Sequence, residues 1–238
     1  GIYVLTSRRN TKGEVFVIAD AGPHGFLSIA AHAHADALSF TLSAAGIPFL
    51  VDPGTYAYHT KPQWRNYFRG TRAHNTVTVD QRDQSESAGS FLWTRMANTV
   101  VESWSDDGQL CALTAHHDGF SDLGITHRRS FELQDNLLQV TDEIDGPGMH
   151  EIAGYFHFAP ECEVTVREPG LVSARRAGVT LDLTFSSIFD IDVALGAPDA
   201  GWYSPVFGVR EPGNTVRGRA LCRLPVTWAT MIAVHHEG

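Results

Sequence analysis

The sequence predicts an all-β protein, a large antiparallel β-sandwich made of many short strands. Short apolar or β-branched runs recur at roughly 8–12-residue spacing, as in sandwiches and barrels. Turns rich in Asp, Gly and Ser separate these runs, and no long helical pattern interrupts them. The chain has 238 residues, of which 43% are hydrophobic, so it can bury a real core. We therefore expect one domain over residues 1–238.

The first strands are predicted from alternation and turn composition. Residues 2–6 and 14–19 form an opening hairpin, and residues 26–30 form a third run. In residues 32–43, Leu38, Phe40 and Leu42 alternate with polar residues, which predicts a half-buried strand. An unbroken strand would place His32, His34 and Asp36 on its inward face.

The next elements are a strand at residues 47–51, a short helix at 62–68 and a strand at 75–80. Pro48 places the first of these near a sheet edge, because proline cannot donate to a ladder. Pro62 suits the first turn of the helix. The remaining predicted strands cover residues 90–96, 99–104, 109–116, 127–133, 137–144, 150–158, 163–167, 171–175, 179–185 and 191–195, with two more in 217–235 around Leu224-Pro225.

Charge and composition exclude some classes of protein. The net charge of −9 argues against non-specific nucleic-acid binding, and no apolar run approaches the roughly 20 residues of a membrane helix. Cys111, Cys162 and Cys222 contain no C-x-x-C pair, so we expect buried free thiols, with one disulfide as the alternative. The chain begins Gly-Ile-Tyr without a secretion signal, and we expect it to be part of a longer protein.

The stretch from Ala31 to Asp80 carries the residue types most suited to chemistry. His34, Asp52 and His74 are an acceptable zinc ligand set of two imidazoles and a carboxylate. No spacing rule identifies such a site, and histidines paired with carboxylates are the alternative. Between Pro53 and Val79 there is no Asp or Glu, while the segment contains Lys61, Arg65, Arg69 and Arg72. This basic segment is either a solvated loop or a binding surface for anions.

Motifs in this order resemble the heparinase II/III-like family of polysaccharide lyases. They are A-H-A-H-A-D-A-L-S-F from Ala31, L-V-D-P-G-T-Y from Leu50, W-R-N-Y-F-R-G-T-R-A-H-N-T-V-T-V-D from Trp64, D-Q-S-E-S-A-G-S-F-L-W from Asp83 and G-W-Y-S-P-V-F-G from Gly201. Ala31 stands where the family commonly has Gly, a small departure.

The resemblance implies a fold, a cofactor and site residues. In that family an N-terminal (α/α) toroid precedes a C-terminal β-sandwich, and this chain is similar to the sandwich alone. The implied metal ligands are His34, Asp52 and His74, with zinc in a structural role, and His32 is the implied catalytic residue that contacts the substrate carboxylate. We expect Arg65, Arg69, Arg72 and Asn75 to bind substrate. The family's acid and base lie on the toroid; Tyr56, Tyr58 and Tyr67 are weak alternatives here.

The implied function is cleavage of an acidic, uronate-containing polysaccharide, such as a heparan sulfate or an alginate, by β-elimination. We expect the 238-residue chain alone to be inactive without the toroid of the same chain. The alternatives are a non-catalytic β-sandwich that binds anionic glycans and a zinc-dependent hydrolase. We expect a bacterial periplasmic or secreted protein, although the cysteines leave a cytoplasmic location open.

Overall fold

The computed structural model describes residues 1–25 and 29–236. In many of its strands, buried side chains alternate with more exposed ones. The strands are β1 (Ile2–Ser7), β2 (Val15–Asp20), β3 (Phe40–Ala44), β4 (Ile47–Leu50), β5 (Val77–Val79), β6 (Glu86–Gly89), β7 (Leu92–Arg95), β8 (Thr99–Asp106), β9 (Leu110–Phe120), β10 (Ile125–Gln134), β11 (Leu137–Asp145), β12 (Met149–His157), β13 (Glu163–Glu168), β14 (Leu171–Arg176), β15 (Val179–Thr184), β16 (Asp190–Leu195), β17 (Trp202–Tyr203), β18 (Glu211–Pro212), β19 (Asn214–Arg223) and β20 (Val226–His236). One α-helix, α1 (Pro62–Arg69), and two 3₁₀ turns, Thr71–Ala73 and Ser121–Leu123, complete the elements.

The strands form an antiparallel β-sandwich with two layers. One layer is an eight-stranded sheet of order β13-β14-β15-β20-β11-β10-β9-β8. The other contains two four-stranded sheets, β1-β2-β3-β4 and β16-β19-β12-β5. The main core lies between the layers, where residues such as Leu42, Phe131 and Phe156 are buried together. The predicted fold class is confirmed.

Asn75 connects the two smaller sheets. Its side-chain amide donates to the carbonyl oxygens of Phe40 (2.7 Å) and Val51 (3.0 Å). Its side-chain oxygen accepts a hydrogen bond from the main-chain N–H of His157 at 2.6 Å. One buried side chain therefore ties the start of β3, the segment after β4 and the end of β12 together, and these are the chain segments around the candidate site.

Several local predictions are confirmed. The opening hairpin is β1–β2, the short helix is α1, and Pro48 lies on β4, the edge strand of its sheet. The last predicted run contains two strands, β19 and β20, around Leu224-Pro225. The three cysteines are free thiols; Cys111 and Cys162 are buried as expected, whereas Cys222 is partly exposed. Within the described ranges, no helix is long and apolar enough to cross a membrane.

The predicted strand at residues 32–43 is wrong over its first eight residues. Residues 32–39 form a loop, and β3 begins only at Phe40. Leu38 has a left-handed backbone with φ of +59°, and Ser39 N–H donates to the Asp36 carbonyl at 2.9 Å, so the chain turns where extension was expected. The parity argument for His32, His34 and Asp36 therefore fails. In the run predicted at 26–30, residues 26–28 lie outside the described residues, and Ile29 and Ala30 are not in a strand.

Candidate functional site

Three separate segments bring His34, Asp52 and His74 together. His34 lies in the loop before β3, Asp52 follows β4, and His74 follows the 3₁₀ turn that leads into β5. One nitrogen or carboxylate oxygen from each residue lies within 4.8 Å of the others. The imidazole rings of His34 and His74 have centroids 5.2 Å apart. The structure thus brings together three residues that lie far apart in sequence.

Asp52 and His74 also form a direct hydrogen bond. His74 Nδ1 lies 2.8 Å from Asp52 Oδ2, and His74 is fully buried while the Asp52 side chain is 48% exposed. The main-chain N–H of Gly54 donates to Asp52 Oδ1 at 2.9 Å, which fixes the carboxylate. His74 Nε2 is buried without a hydrogen-bond partner among the described residues. A buried polar atom with no partner is costly, so this nitrogen is suited to a ligand.

The ionisation of the three groups is coupled. Burial raises the pKa of Asp52, but the charge and hydrogen bond of His74 and the charge of His34 outweigh burial and bring it to about 2. Burial and the charge of His74 lower the pKa of His34 to about 3. Burial lowers the pKa of His74, and Asp52 more than reverses that, so the net change is upward. At neutral pH the cluster therefore presents an ionised carboxylate and a neutral His34.

The cluster has the composition of a zinc site with an open position. Two imidazole nitrogens and a carboxylate oxygen are typical ligands of zinc. In a tetrahedral site with zinc–ligand bonds of roughly 2.1 Å, two ligand atoms lie about 3.4 Å apart. Because the three atoms lie within 4.8 Å of one another, small side-chain rotations would bring them to bonding distance. The residues present therefore fit a zinc ion, and the half-exposed Asp52 leaves an open side.

His32 lies beside the cluster on an exposed rim. Its ring packs at 5.3 Å from Tyr58 and at 6.1 Å from Phe91, measured between centroids. A cavity of about 450 Å³ is lined by His32, His34 and Asp52 together. An exposed imidazole and two residues of the cluster therefore line the same space, which is large enough for a small ligand.

The basic segment divides into buried and exposed arginines. Arg65 and Arg69 are almost fully buried, whereas Arg72 is exposed. Arg65 donates to the carbonyl oxygens of Ser90 and Ala31, both at 3.1 Å. Arg69 stacks on the Trp93 ring, with its guanidinium carbon 4.0 Å from the ring centroid. Direct substrate contact thus remains a prediction for these arginines, and Arg72 is the one already exposed to solvent.

The side chain of Asn75, predicted to bind substrate, is in the interior. Both its donor and its acceptor are engaged with main-chain atoms, as described above, and the residue is 2% exposed. This position supports the loops of the site, so we do not propose a substrate contact for it. Among the tyrosines, Tyr56 and Tyr67 are held by hydrogen bonds with Lys61 and with the Trp202 N–H, and Tyr58 lies against His32.

Sequence reasoning missed the contribution of Arg129 from the opposite layer. This buried residue on β10 hydrogen-bonds the carbonyl oxygens of Leu38 and Asn75 at 2.9 and 2.8 Å. The available signal was the two-residue period of β10, because Arg129 shares its parity with Phe131 and Leu133 and so lies on the same core-facing side. A charged residue at a core-facing position requires a specific partner.

The fold and the site define a β-sandwich domain with a His/Asp/His cluster at one end of its strands. Residues 1–229 match the family Heparinase II/III-like, C-terminal, and the chain belongs to that family. A heparin-sulfate lyase from Bacteroides stercoris is 29% identical over 152 residues, covering 61% of this chain and 20% of the relative.

Solved structures share the fold. Heparan sulfate lyase HepC from Pedobacter heparinus superposes with a TM-score of 0.82 at 18% identity, covering 100% of this chain and 35% of that protein. A heparinase III gives a TM-score of 0.80 at 20% identity, with the same coverage. The chain thus spans about a third of the length of these solved relatives, and one fifth of the curated relative is matched.

Proposed function

We propose that this chain is the β-sandwich part of a polysaccharide lyase that cleaves an acidic, uronate-containing glycan of the heparan sulfate type by β-elimination. The observation that carries the proposal is the exposed His32 on the rim of a cavity shared with His34 and Asp52. Family membership and relatives named as heparan sulfate lyases support the substrate class.

The reaction requires groups of the kind found here. A base removes the C5 proton of the uronate, the electron pair forms the C4–C5 double bond, and the C4–O bond breaks as an acid protonates the leaving oxygen. Negative charge moves onto the uronate carboxylate as the proton leaves, so a hydrogen-bond donor or cation placed against that carboxylate lowers the barrier. We assign this role to His32, whose ring is exposed to the cavity.

We also propose that His34, Asp52 and His74 hold zinc. A zinc ion bound by these residues would supply a structural crosslink and a fixed positive charge. The protein groups alone already place the segment before β5 next to the segment after β4, since Asp52 and His74 are hydrogen-bonded. Fixing His34 orients His32, two residues earlier, because ligands and their neighbours set the geometry of a site together.

The base and the acid are proposed to come from an upstream toroid of the same chain. The superposition on about a third of the longer solved relatives is consistent with a preceding domain. Without that domain we expect the 238-residue chain to be inactive. Tyr58, the tyrosine of this chain against the His32 ring, is the internal alternative for one of these roles.

The test is a substrate panel with the full-length protein. Heparan sulfate, hyaluronan, chondroitin and alginate are incubated with it, and product is followed by the ultraviolet absorbance of the unsaturated uronate. We expect absorbance to rise with heparan sulfate. Cleavage that yields new reducing ends without this absorbance would instead indicate a hydrolase. Binding without cleavage would indicate a glycan-binding module.

A further inference from the structure

A second cleft, separate from the cavity at His32, lies between α1 and the loops around β17 and β18. Its volume is about 370 Å³, and it is lined by aromatic and apolar side chains with one cation: Gln63, Trp64, Tyr67, Gly196, Pro198, Trp202 and Arg210. Apolar clefts with a few directed polar groups are typical binding sites for small ligands.

Arg210 packs on two tryptophan rings that contact each other edge to face. Its guanidinium carbon lies 3.4 Å from the centroid of Trp64 and 4.2 Å from that of Trp202. Its Nη1 atom is buried and has no hydrogen-bond partner within the described part of the chain. Asp199, next to the lining residue Pro198, is already paired with Arg217 at 2.9 Å. Arg210 lines the cleft, is partly exposed and has no carboxylate partner among the described residues, so its guanidinium can pair with an anion in the cleft.

This cleft is connected to the segment that carries Asp52. The main-chain N–H of Ser204 donates to the carbonyl oxygen of Pro53 at 2.8 Å, and Gly208 N–H donates to that of Tyr56 at 2.7 Å. Tyr67 on α1 accepts a hydrogen bond from the Trp202 N–H at 3.3 Å. The loop with Trp202 and Arg210 is thus fixed both to the helix and to the candidate site.

We propose that this cleft is a subsite for one anionic sugar residue of the glycan, with the apolar face of the ring against Trp64 or Trp202 and its carboxylate or sulfate on Arg210. Aromatic faces suit the C–H face of a sugar, and guanidinium groups bind carboxylate and sulfate through paired N–H donors. The inference rests on the proposed function for the identity of the glycan. The subsite itself is defined by the cleft.

The experiment measures binding and turnover separately in the full-length protein. Two probes are titrated by calorimetry into the wild-type, Arg210→Met and Trp202→Ala proteins. Heparan sulfate oligosaccharides are the sulfated uronate probe, and hyaluronan oligosaccharides are the unsulfated one. Trp104→Ala is the matched control, because Trp104 is a partly exposed tryptophan on β8 that packs on Tyr3. Loss of the charged hydrogen bond should weaken binding about tenfold in Arg210→Met and leave Trp104→Ala unchanged. Weaker binding of both probes by Arg210→Met indicates that Arg210 recognises a carboxylate, and weaker binding of heparan sulfate alone indicates that it recognises a sulfate.

Kinetics separate this inference from the proposed function. Arg210→Met should raise KM about tenfold and keep kcat within about twofold, since a group away from the reacting atoms provides uniform binding. Arg210→Lys keeps the charge but loses the planar group that stacks on the rings, and it guards against a folding defect. Its KM should lie between those of the wild type and Arg210→Met. Unchanged Kd and KM in a folded Arg210→Met protein with wild-type lyase activity would overturn the subsite alone. A protein without lyase activity whose glycan binding still depends on Arg210 would overturn the lyase proposal and leave the subsite.

Discussion

Arg129 Nη1 donates a hydrogen bond to the main-chain carbonyl oxygen of Asn75 across the sandwich, at 2.8 Å. The same nitrogen donates to the carbonyl oxygen of Leu38 at 2.9 Å. Leu38 lies in the loop with His34, and Asn75 follows His74 directly. A single side chain from the opposite layer therefore fixes two of the three segments of the cluster.

This contact depends on a buried ion pair, so its two partners cannot be removed singly without cost. Asp142 accepts from Arg129 Nε at 2.7 Å and Nη2 at 3.1 Å. Arg129→Met leaves the Asp142 carboxylate buried, and we expect the free energy of unfolding to fall by about 3–5 kcal/mol. Urea denaturation measures this. The double variant Arg129→Met/Asp142→Leu should lose less free energy of unfolding than the sum of the losses in the two single variants. Additive losses would show that the pair is not coupled.

The metal proposal predicts that His34→Ala loses bound zinc. Removing one of three ligands should abolish stoichiometric zinc and lower Tm, because the metal joins three chain segments. Zinc content by mass spectrometry after gel filtration gives the answer. His116→Ala is the control, since His116 pairs with Glu102 on β8 in the eight-stranded layer and should keep its zinc. Retained stoichiometric zinc in His34→Ala would show that these residues are only a hydrogen-bonded His–Asp pair with a neighbouring histidine.

Because His157 is buried, we expect the protein to lose stability in mild acid. Its Nε2–H donates to the Arg72 carbonyl at 3.1 Å, and its Nδ1 accepts from Thr215 at 2.9 Å, an arrangement for the neutral ring. Burial, followed by the charge of His74, lowers its pKa from 6.5 to about 3. Between these values the unfolded chain binds the proton and the folded chain does not, so this contribution is complete above pH 6.5 and declines below it.

The corresponding variant is His157→Gln, whose amide can make both hydrogen bonds without titrating. Between pH 6.5 and 5 the unfolding free energy of the wild type should fall more steeply with decreasing pH than that of His157→Gln. The difference between the two slopes should approach about 1.4 kcal/mol per pH unit, the value for one proton. Denaturant titrations at several pH values measure the slope. Equal slopes for His157→Gln and wild type would contradict the neutral, buried state of His157.

Gly54 is a position where the site and the second cleft meet. It has φ of +78°, and a Cβ there would overlap the Ser204 carbonyl oxygen. Backbone strain alone at such a position costs roughly 1–3 kcal/mol. Gly54→Ala should therefore lower the free energy of unfolding by more than this. Gly46→Ala is matched, because Gly46 has φ of +75° with open space around its Cβ. Thermal denaturation should show a larger fall in Tm for Gly54→Ala, and equal falls would mean that the contact with Ser204 is unimportant.

Local patterns were sufficient for most of the fold but not for the detailed site. Short β-rich runs between turn residues located β1, β9 to β12 and β20. Alternation failed at residues 32–39, where the left-handed Leu38 turns the chain while its apolar side chain still enters the core. The two-residue strands β17 and β18 are too short to carry a period. The cluster of His34, Asp52 and His74 was found through motif resemblance, whereas the burial of Arg65, Arg69 and Asn75 depends on tertiary contacts that no local pattern encodes.

The most direct test of the account is the rate at which the full-length His32→Ala protein forms the unsaturated uronate from heparan sulfate. Because His32 is assigned to the substrate carboxylate and not to the metal, we expect a loss of about 10²–10³-fold in kcat, the usual effect of removing one such charge-stabilising group. Zinc content and Tm should remain at wild-type values, as should the rate of His116→Ala. A folded, zinc-containing His32→Ala protein with the wild-type rate would contradict the assignment of His32 as the residue on the substrate carboxylate.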